Sequence, residues 1–560
     1  MDVSEMQKKL SQWATENPTE RRRELYSLLC NAVWLRAAHS SVNTNQGRET
    51  AGIDGESMSD FNRNLEGNLE ALRQQLKAKT FEPLPVRRVD IPKANGKTRP
   101  LGIPGIRDRI VQEALRMILE PIWEADFSVY SYGFRPNRST YDAMTYLGKR
   151  LASPGGESFQ WVIEGDIASY FDTIPQRRFM KAVKKRVADR DLRALLWKFL
   201  RAGVLEHGHT RATLTGTPQG GIVSPLAANI YLHELDRHME STYLNLPKWR
   251  RQQRRQQGKA NCLYLRYADD WVVLCNGTKA QAHAMKEELG GFLSTMGLKL
   301  SEEKTKVTHI TEGFDFLGYR IIRSIGTSGK MIPKVLIPAK AIKRLCHTLR
   351  RMLASNSTHE SVKAKIIALN RLIRGWCAYY RCTNNPGAMF DKVGTELFWD
   401  MAHWLGRKYK VSMPRVMQRF REGNTFRIHA VTLIMPAEYK AKRFVAKTWH
   451  NPYTEPDKVR EEKARIQRES LLTYDRIWAG HEERQGWMDL REEVILLKGT
   501  TCAACGQTLH PSEVEMDHIK PRARFKGPRD ADRLANLQIL CTLCHRAKTK
   551  TDLKVLRRMR

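Results

Sequence analysis

Two apolar runs, Leu263 to Leu265 and Trp271 to Leu274, stand on either side of the polar break Tyr267-Ala268-Asp269-Asp270. Short runs of Val, Leu and aromatic residues bounded in this way predict buried strands, here joined as a tight hairpin with two carboxylates at its tip. A third run, Trp161-Val162-Ile163, leads through Glu164-Gly165 to Asp166 and on to Phe171, and predicts a strand that delivers Asp166 at its end, facing the hairpin. Around Asn95-Gly96 two extended segments, from Val89 and up to Pro104, predict a second hairpin carrying Lys93, Lys97 and Arg99. Elsewhere the period is helical. Leu25, Leu28, Leu29 and Val33 predict one helix, Leu65, Leu69, Leu72 and Leu76 another, and Leu226 to Leu235 a third. Three amphipathic helices follow late in the chain, on Ile342-Leu345-Leu349-Met352, Ile366-Leu369-Ile373-Trp376 and Val393-Leu397-Met401-Leu405.

At 560 residues the chain is too long for one hydrophobic core, so several domains are expected. A formal net charge of +35 points to a polyanion as partner. A membrane surface is the competing reading, but no apolar run is long enough to span a bilayer and Met1 to Trp13 lacks the apolar core of a signal peptide. A cytoplasmic, non-secreted protein with no membrane partner is therefore expected. The cysteines agree: most are scattered singly, and four form the pairs Cys502-Ala503-Ala504-Cys505 and Cys541-Thr542-Leu543-Cys544, a pattern of a reducing compartment with one metal site.

Adjacent acids at a hairpin tip repel each other. Asp also favours turns for its own sake, but a divalent cation on the pair, with Asp166 as third ligand, would make a site for two magnesium ions. Around these acids lie Ser131-Tyr132-Gly133-Phe134-Arg135-Pro136, the Gly-rich Thr215 to Pro225, Gly297 to Thr305 and Phe314 to Tyr319. In these blocks the chain resembles the palm and fingers of reverse transcriptases, and Arg371 to Tyr380 is similar to the maturase domain of group II intron proteins. The resemblance implies that Asp166 and Asp269 hold both metals and Asp270 supports them, that Phe171 lies under the incoming sugar, and that Gln219 sits beside the nascent pair. It also implies that Lys93 and Arg99 neutralise the triphosphate of the incoming dNTP. Lys304 reads first as a surface lysine and second as a proton donor to pyrophosphate. The basic run 248–259 is a solvated loop or a surface touching nucleic-acid backbone, and the basicity of the whole chain favours the second.

The last seventy residues differ in character. The two CxxC pairs suit four thiolates, Cys502, Cys505, Cys541 and Cys544, tetrahedral around a structural zinc. Within that frame Asp517-His518, Asn536 and His545 resemble an HNH nuclease, in which His518 activates water, Asp517 and His545 hold one magnesium and Asn536 orients His518. A plain zinc ribbon with incidental histidines is the alternative.

In this order the blocks identify a group II intron-encoded protein. The expected fold is α+β and multidomain: an N-terminal helical extension (1–90), right-hand polymerase fingers and palm with an antiparallel palm sheet (91–335), a helical thumb or maturase domain (336–425), a basic DNA-binding linker domain (426–490), and a small zinc-framed ββα HNH nuclease domain (491–560). The expected activities are reverse transcription, splicing assistance and cleavage of one target strand to prime copying, with group II intron RNA and double-stranded target DNA as partners. A non-catalytic cofactor that only stabilises folded intron RNA is the competing class, and Asp166, Asp269, Asp270 and His518 favour the enzyme because binding alone has no use for them.

Overall fold

The computed structural model describes the chain except residues 1, 93–95, 97, 153–157, 207–208, 212–214, 218–219, 327–328, 429–430, 470–493, 496–497, 510–513, 522–523, 526–530, 532–533, 542, 546, 550 and 553–560. It divides into two compact units, Met1–Ser470 and Leu471–Arg560.

The centre of the first unit is a four-stranded antiparallel sheet. Cys262–Tyr267 lies at one edge beside Asp270–Cys275, which pairs with Trp161–Gly165, which in turn pairs with Lys306–His309. The first three of these strands are apolar at most positions because both faces of the sheet are covered there, whereas the edge strand Lys306–His309 has no buried residue. Val162, Leu263, Leu265, Val272 and Leu274 point into one core, shared with the helices Ala339–Met352, Val362–Tyr380 and Pro386–Tyr409. Ile163, Tyr264, Trp271, Val273 and Cys275 point into the other, shared with Ile106–Glu124, Ser224–Met239 and the N-terminal helices. Full burial of each such side chain contributes about 1.5–3 kcal/mol, so the central strands are fixed from both sides.

A second sheet holds the hairpin Val86–Pro92 and Thr98–Ile103, with Val204–Glu206 parallel to its first strand. Phe314–Phe316, Tyr319–Ile325 and Met331–Leu336 form a third, antiparallel sheet. The aromatic residues after Arg374 turn inward to it: Tyr379 and Tyr380 donate to the carbonyls of Leu317 and Gly318 at 2.5 and 3.0 Å.

Two elements differ from the periodicity. The expected helix through Leu25 and Val33 is two helices, Tyr26–Leu29 and Ala32–Asn43, because the Asn31 side chain accepts from the Val33 and Trp34 amides and starts a new helix. Val33 is then exposed, and Trp34, Leu35, Ala38 and Val42 are buried instead. The basic run forms a helix, Lys248–Gln256, with no buried residue. Trp478 and Trp487, in the expected DNA-binding stretch, lie outside the described residues. Among the described residues no helix is long and apolar enough to cross a membrane.

In the second unit Glu515–His518 pairs antiparallel with Leu537–Leu540, and residues 543–545 and 547–549 are helical. Its small core comprises Val494, Leu509, Val514, Met516, Leu537, Ile539 and Leu540 with Cys502 and Cys541.

Candidate active sites

Tyr267 and Asp270 are opposed residues of the hairpin, so Ala268 and Asp269 alone make the turn. Ala268 has φ +58°, a left-handed conformation that disfavours any residue with a Cβ. Such strain persists only where the surroundings over-determine it, and here they do. Arg266, fully buried, donates through Nη1 to the Ala268 carbonyl at 2.8 Å and to Asn229 Oδ1 at 3.0 Å. Its Nε and Nη2 clamp the buried Asp236 carboxylate at 2.8 and 2.5 Å, and Tyr264 donates to the same group. Asn229 in turn donates to the Gly133 carbonyl at 2.8 Å. Gly133 sits so close to the turn that a Cβ there would lie 2.3 Å from the Ala268 nitrogen. The backbone of residues 130–132 bonds to Arg266 on both sides, with Tyr132 N to Arg266 O and Arg266 N to Tyr130 O each at 2.9 Å.

The third carboxylate arrives as the strand order requires. Gly165, the residue before Asp166, is opposite Trp271, and its missing Cβ leaves room for the indole, which would otherwise lie 2.1 Å away. Asp166 is held by the Ser301 amide, which donates to its carbonyl at 2.8 Å, and its carboxylate accepts from Lys304 Nζ at 2.9 Å. Burial first, and then the charge of Asp166, push the Asp269 carboxyl up. Burial and the charges of Asp269 and Asp166 push Asp270 to about 6, with Lys304 and Arg99 acting in the opposite direction. Asp270 keeps a face open to solvent. The three carboxylates are close enough to couple, although among the described residues only the four cysteines below bring three or more ligand atoms within 4.8 Å of one another.

Phe171 contacts Phe134 edge-on at 6.5 Å, and its carbonyl accepts from the Thr217 amide at 2.7 Å. Gly216, at φ +81°, packs on the Phe171 and Asp172 backbone, and Gly220, at φ +110°, packs on the Gly102 carbonyl. The Gly-rich segment is therefore fastened to the Asp166 segment and to the strand that carries Arg99. Arg99 is exposed on that strand. Lys93 and Gln219 lie outside the described residues.

In the second unit the sulfurs of Cys502, Cys505, Cys541 and Cys544 all lie within 4.8 Å of one another, with Cys505 and Cys541 3.9 Å apart. Burial alone would raise the Cys502 thiol, but the backbone amides of Cys541, Cys505 and Ala504 bring it down to about 6. Four thiols with amides aimed at sulfur fit a soft tetrahedral cation. Asp517 Oδ1 is 3.7 Å from His545 Nε2, and Lys548 bonds its other oxygen at 3.1 Å. His518 ends its strand opposite Leu537, half-buried. Asn536 is buried. Its Oδ1 accepts from the Lys520 amide at 2.9 Å, its Nδ2 donates to the Ala531 and Lys520 carbonyls, and its own carbonyl accepts from Ile519. It fixes the backbone of the two residues after His518.

Sequence reasoning passed over Arg266, Asp236 and Asn229, and quoted Gly133 only as part of a block without a role. The available signal was a charged residue inside an apolar strand, and an Asp and an Asn among Leu, Ile and Ala in one helix, which call for buried partners.

Three family models match in chain order: reverse transcriptase (RNA-dependent DNA polymerase) over residues 91–321, the group II intron maturase-specific domain over 342–421 and HNH endonuclease over 502–551. Protein YkfC of Escherichia coli K12 is 41% identical over 369 residues, 63% of this chain and 97% of that protein. The group II intron-encoded protein LtrA of Lactococcus lactis is 28% identical over 618 aligned positions, covering 96% of this chain and 97% of LtrA. A 91 kDa protein in the cob intron of Schizosaccharomyces pombe is 31% identical over 65% of this chain and 51% of its own length.

Proposed function

This chain belongs to the group II intron-encoded proteins, and on that premise we propose how its residues divide the work. It is an RNA-directed DNA polymerase, a splicing maturase that binds intron RNA, and an HNH DNA endonuclease, and both enzymatic modules depend on metal. The four-stranded sheet is the palm, the Lys93–Arg99 hairpin belongs to the fingers, and the three helices after Ala339 form the thumb. The placement of Asp166 at the end of the strand that pairs with the Asp269–Asp270 hairpin, where its charge reaches both acids, carries this reading.

The donor set is all oxygen and mutually repelling, which fits hard divalent cations. Magnesium ions held by Asp166 and Asp269, with Asp270 beside them, would supply Lewis acidity to phosphoryl transfer. The chain's own groups do the rest. Arg99, with Lys93, faces the triphosphate and neutralises the charge that grows on the departing pyrophosphate. Phe171 closes the floor beneath the deoxyribose, Gln219 borders the new pair, and Lys304, already at Asp166, stands where a proton can be handed to the leaving group. In the second unit His518 takes a proton from the attacking water, Asn536 fixes the backbone beside it, and Asp517 with His545 would hold a second magnesium site. The cysteines hold zinc as a structural frame.

Incubating the protein with intron RNA, a labelled target duplex, dNTPs and magnesium tests the whole assignment. The expected products are spliced RNA, a cut in one target strand and DNA extended from that cut. A duplex cut without extension, by protein that also fails to extend an annealed primer, contradicts the polymerase assignment.

A further inference from the structure

The first unit contains a run of cavities that no catalytic residue lines. The central one, about 320 Å³, is lined by Tyr130, Tyr132, Tyr146 and Trp449 among others. The three tyrosines pack against one another, with Tyr146 centred 5.7 and 6.4 Å from Tyr130 and Tyr132. The Arg138 guanidinium carbon lies 3.8 Å from the centre of the Trp449 ring, and its Nε is buried with no hydrogen-bond partner. On one flank the cavity shares Arg138, Asp142 and Lys447 with a second one that adds Arg381, Lys442 and Lys463. On the other flank it shares Tyr130, Tyr146 and Arg150 with a third, of about 220 Å³, that adds Arg251 and Arg255 from the basic helix. Every fully charged residue along this belt is a cation except Asp142. The belt runs from Tyr132, whose amide donates to the Arg266 carbonyl next to the acidic turn, out to Cys262, the far end of that strand and about 17 Å from the turn at ~3.3 Å per residue.

We propose that this belt is a binding track for single-stranded RNA, with phosphates on Arg150, Arg255 and Lys463 and one unstacked base in the tyrosine–tryptophan cavity. Cations alone would take any polyanion. The aromatic cavity selects within that class: bases of a duplex stay stacked, whereas a single strand can turn a base onto an aromatic face, worth about 1–3 kcal/mol in stacking. Nothing comparable is offered to an acidic protein, whose carboxylates would meet the arginines but leave the cavity unfilled. The proposal rests on the reading of the chain as an intron-RNA-binding protein and locates one surface that serves it. Separate stretches of chain build the track, chiefly 129–150, 243–263, 378–382 and 442–467, with Ser158, Phe159 and Asn276, so no local motif announces it.

The test uses the full chain and a 30-nucleotide single-stranded RNA containing 4-thiouridine, beside a 30-base-pair DNA duplex. Irradiation should place RNA adducts on peptides holding Tyr130, Tyr132, Tyr146 or Trp449. The triple variant Arg150→Glu, Arg255→Glu, Lys463→Glu should lose those adducts and bind the RNA at least tenfold more weakly. Losing three phosphate contacts should also lower the slope of log K against log salt by about two. These three side chains are exposed, so the melting temperature should match the wild type, and a variant that melts early is replaced by Arg150→Gln with Lys463→Gln. Unchanged affinity and slope, or adducts confined to other peptides, overturns the track, as does stronger binding of the duplex at these residues. Primer extension by the wild-type protein tests the polymerase reading separately, so each can fail alone.

Discussion

At the scale of single residues, charge repulsion recurs in the first unit. Asp108 is buried, its carboxylate accepts from the Leu84 amide at 3.2 Å, and burial followed by the charge of Asp54 pushes its carboxyl to about 7. The folded value lies above the ordinary 3.8, so the folded state binds the proton more tightly than the unfolded chain. Stability is therefore full below pH 4 and is lost as pH rises towards 7, by about 4 kcal/mol at ~1.4 kcal/mol per unit. Asp108→Asn, which can keep the amide bond, should raise the melting temperature at pH 8, and the gap from wild type should close as pH falls from 7 to 4. A gap that stays constant with pH would mean that Asp108 is ionised in the fold. Asp270, pushed up to about 6, has the same sign, and magnesium binding there should release a proton below pH 6.

At the scale of elements, the catalytic turn is held by contact between segments far apart in sequence. Gly133→Ala would set a Cβ 2.3 Å from the Ala268 nitrogen, and the turn must shift by about 1 Å to make room. A shift of that order lowers a positioned reaction about a hundredfold, so single-turnover incorporation should fall by about that factor while RNA affinity is retained. An unaltered rate would mean that the turn tolerates the movement. The hairpin, the Asp166 strand and the three late helices could be read from periodicity because both faces of the sheet are apolar and the helices are amphipathic. The Asn31 break could not, since Leu25 to Val33 keeps the helical period straight through it. Nor could the clamp on the turn. Arg266 and Asp236 stand thirty residues apart, and although each is a charge in an apolar element that calls for a buried partner, only the packing of strand on helix shows that they are each other's.

At the scale of the molecule, the chain separates into Met1–Ser470 and Leu471–Arg560, each with a core of its own. Domains of that kind tolerate each other's site mutations. His518→Ala should therefore abolish cutting of the target strand and leave primer extension and splicing assistance intact, with zinc retained. Cys541→Ser should differ, because zinc held by the four cysteines would supply much of the folding energy of the small core around Met516 and Ile539, on the order of 10 kcal/mol in comparable small sites. Zinc content, cutting and DNA affinity should fall together in that variant. A His518→Ala protein that cuts at the normal rate would make the second unit a DNA-binding ribbon.

The central claim is that Asp166, Asp269 and Asp270 form the polymerase centre, and Asp269→Asn addresses it most directly. The substitution keeps the size of the side chain and removes one ligand charge from the turn. DNA synthesis on a primed RNA template should fall about a hundred- to a thousandfold, the order by which loss of one transition-state stabiliser slows such reactions. Affinity for intron RNA and splicing assistance, measured on the same preparation, should stay within about twofold, since one charge among a net +35 barely alters the basic surface. Extension at the wild-type rate would contradict the assignment.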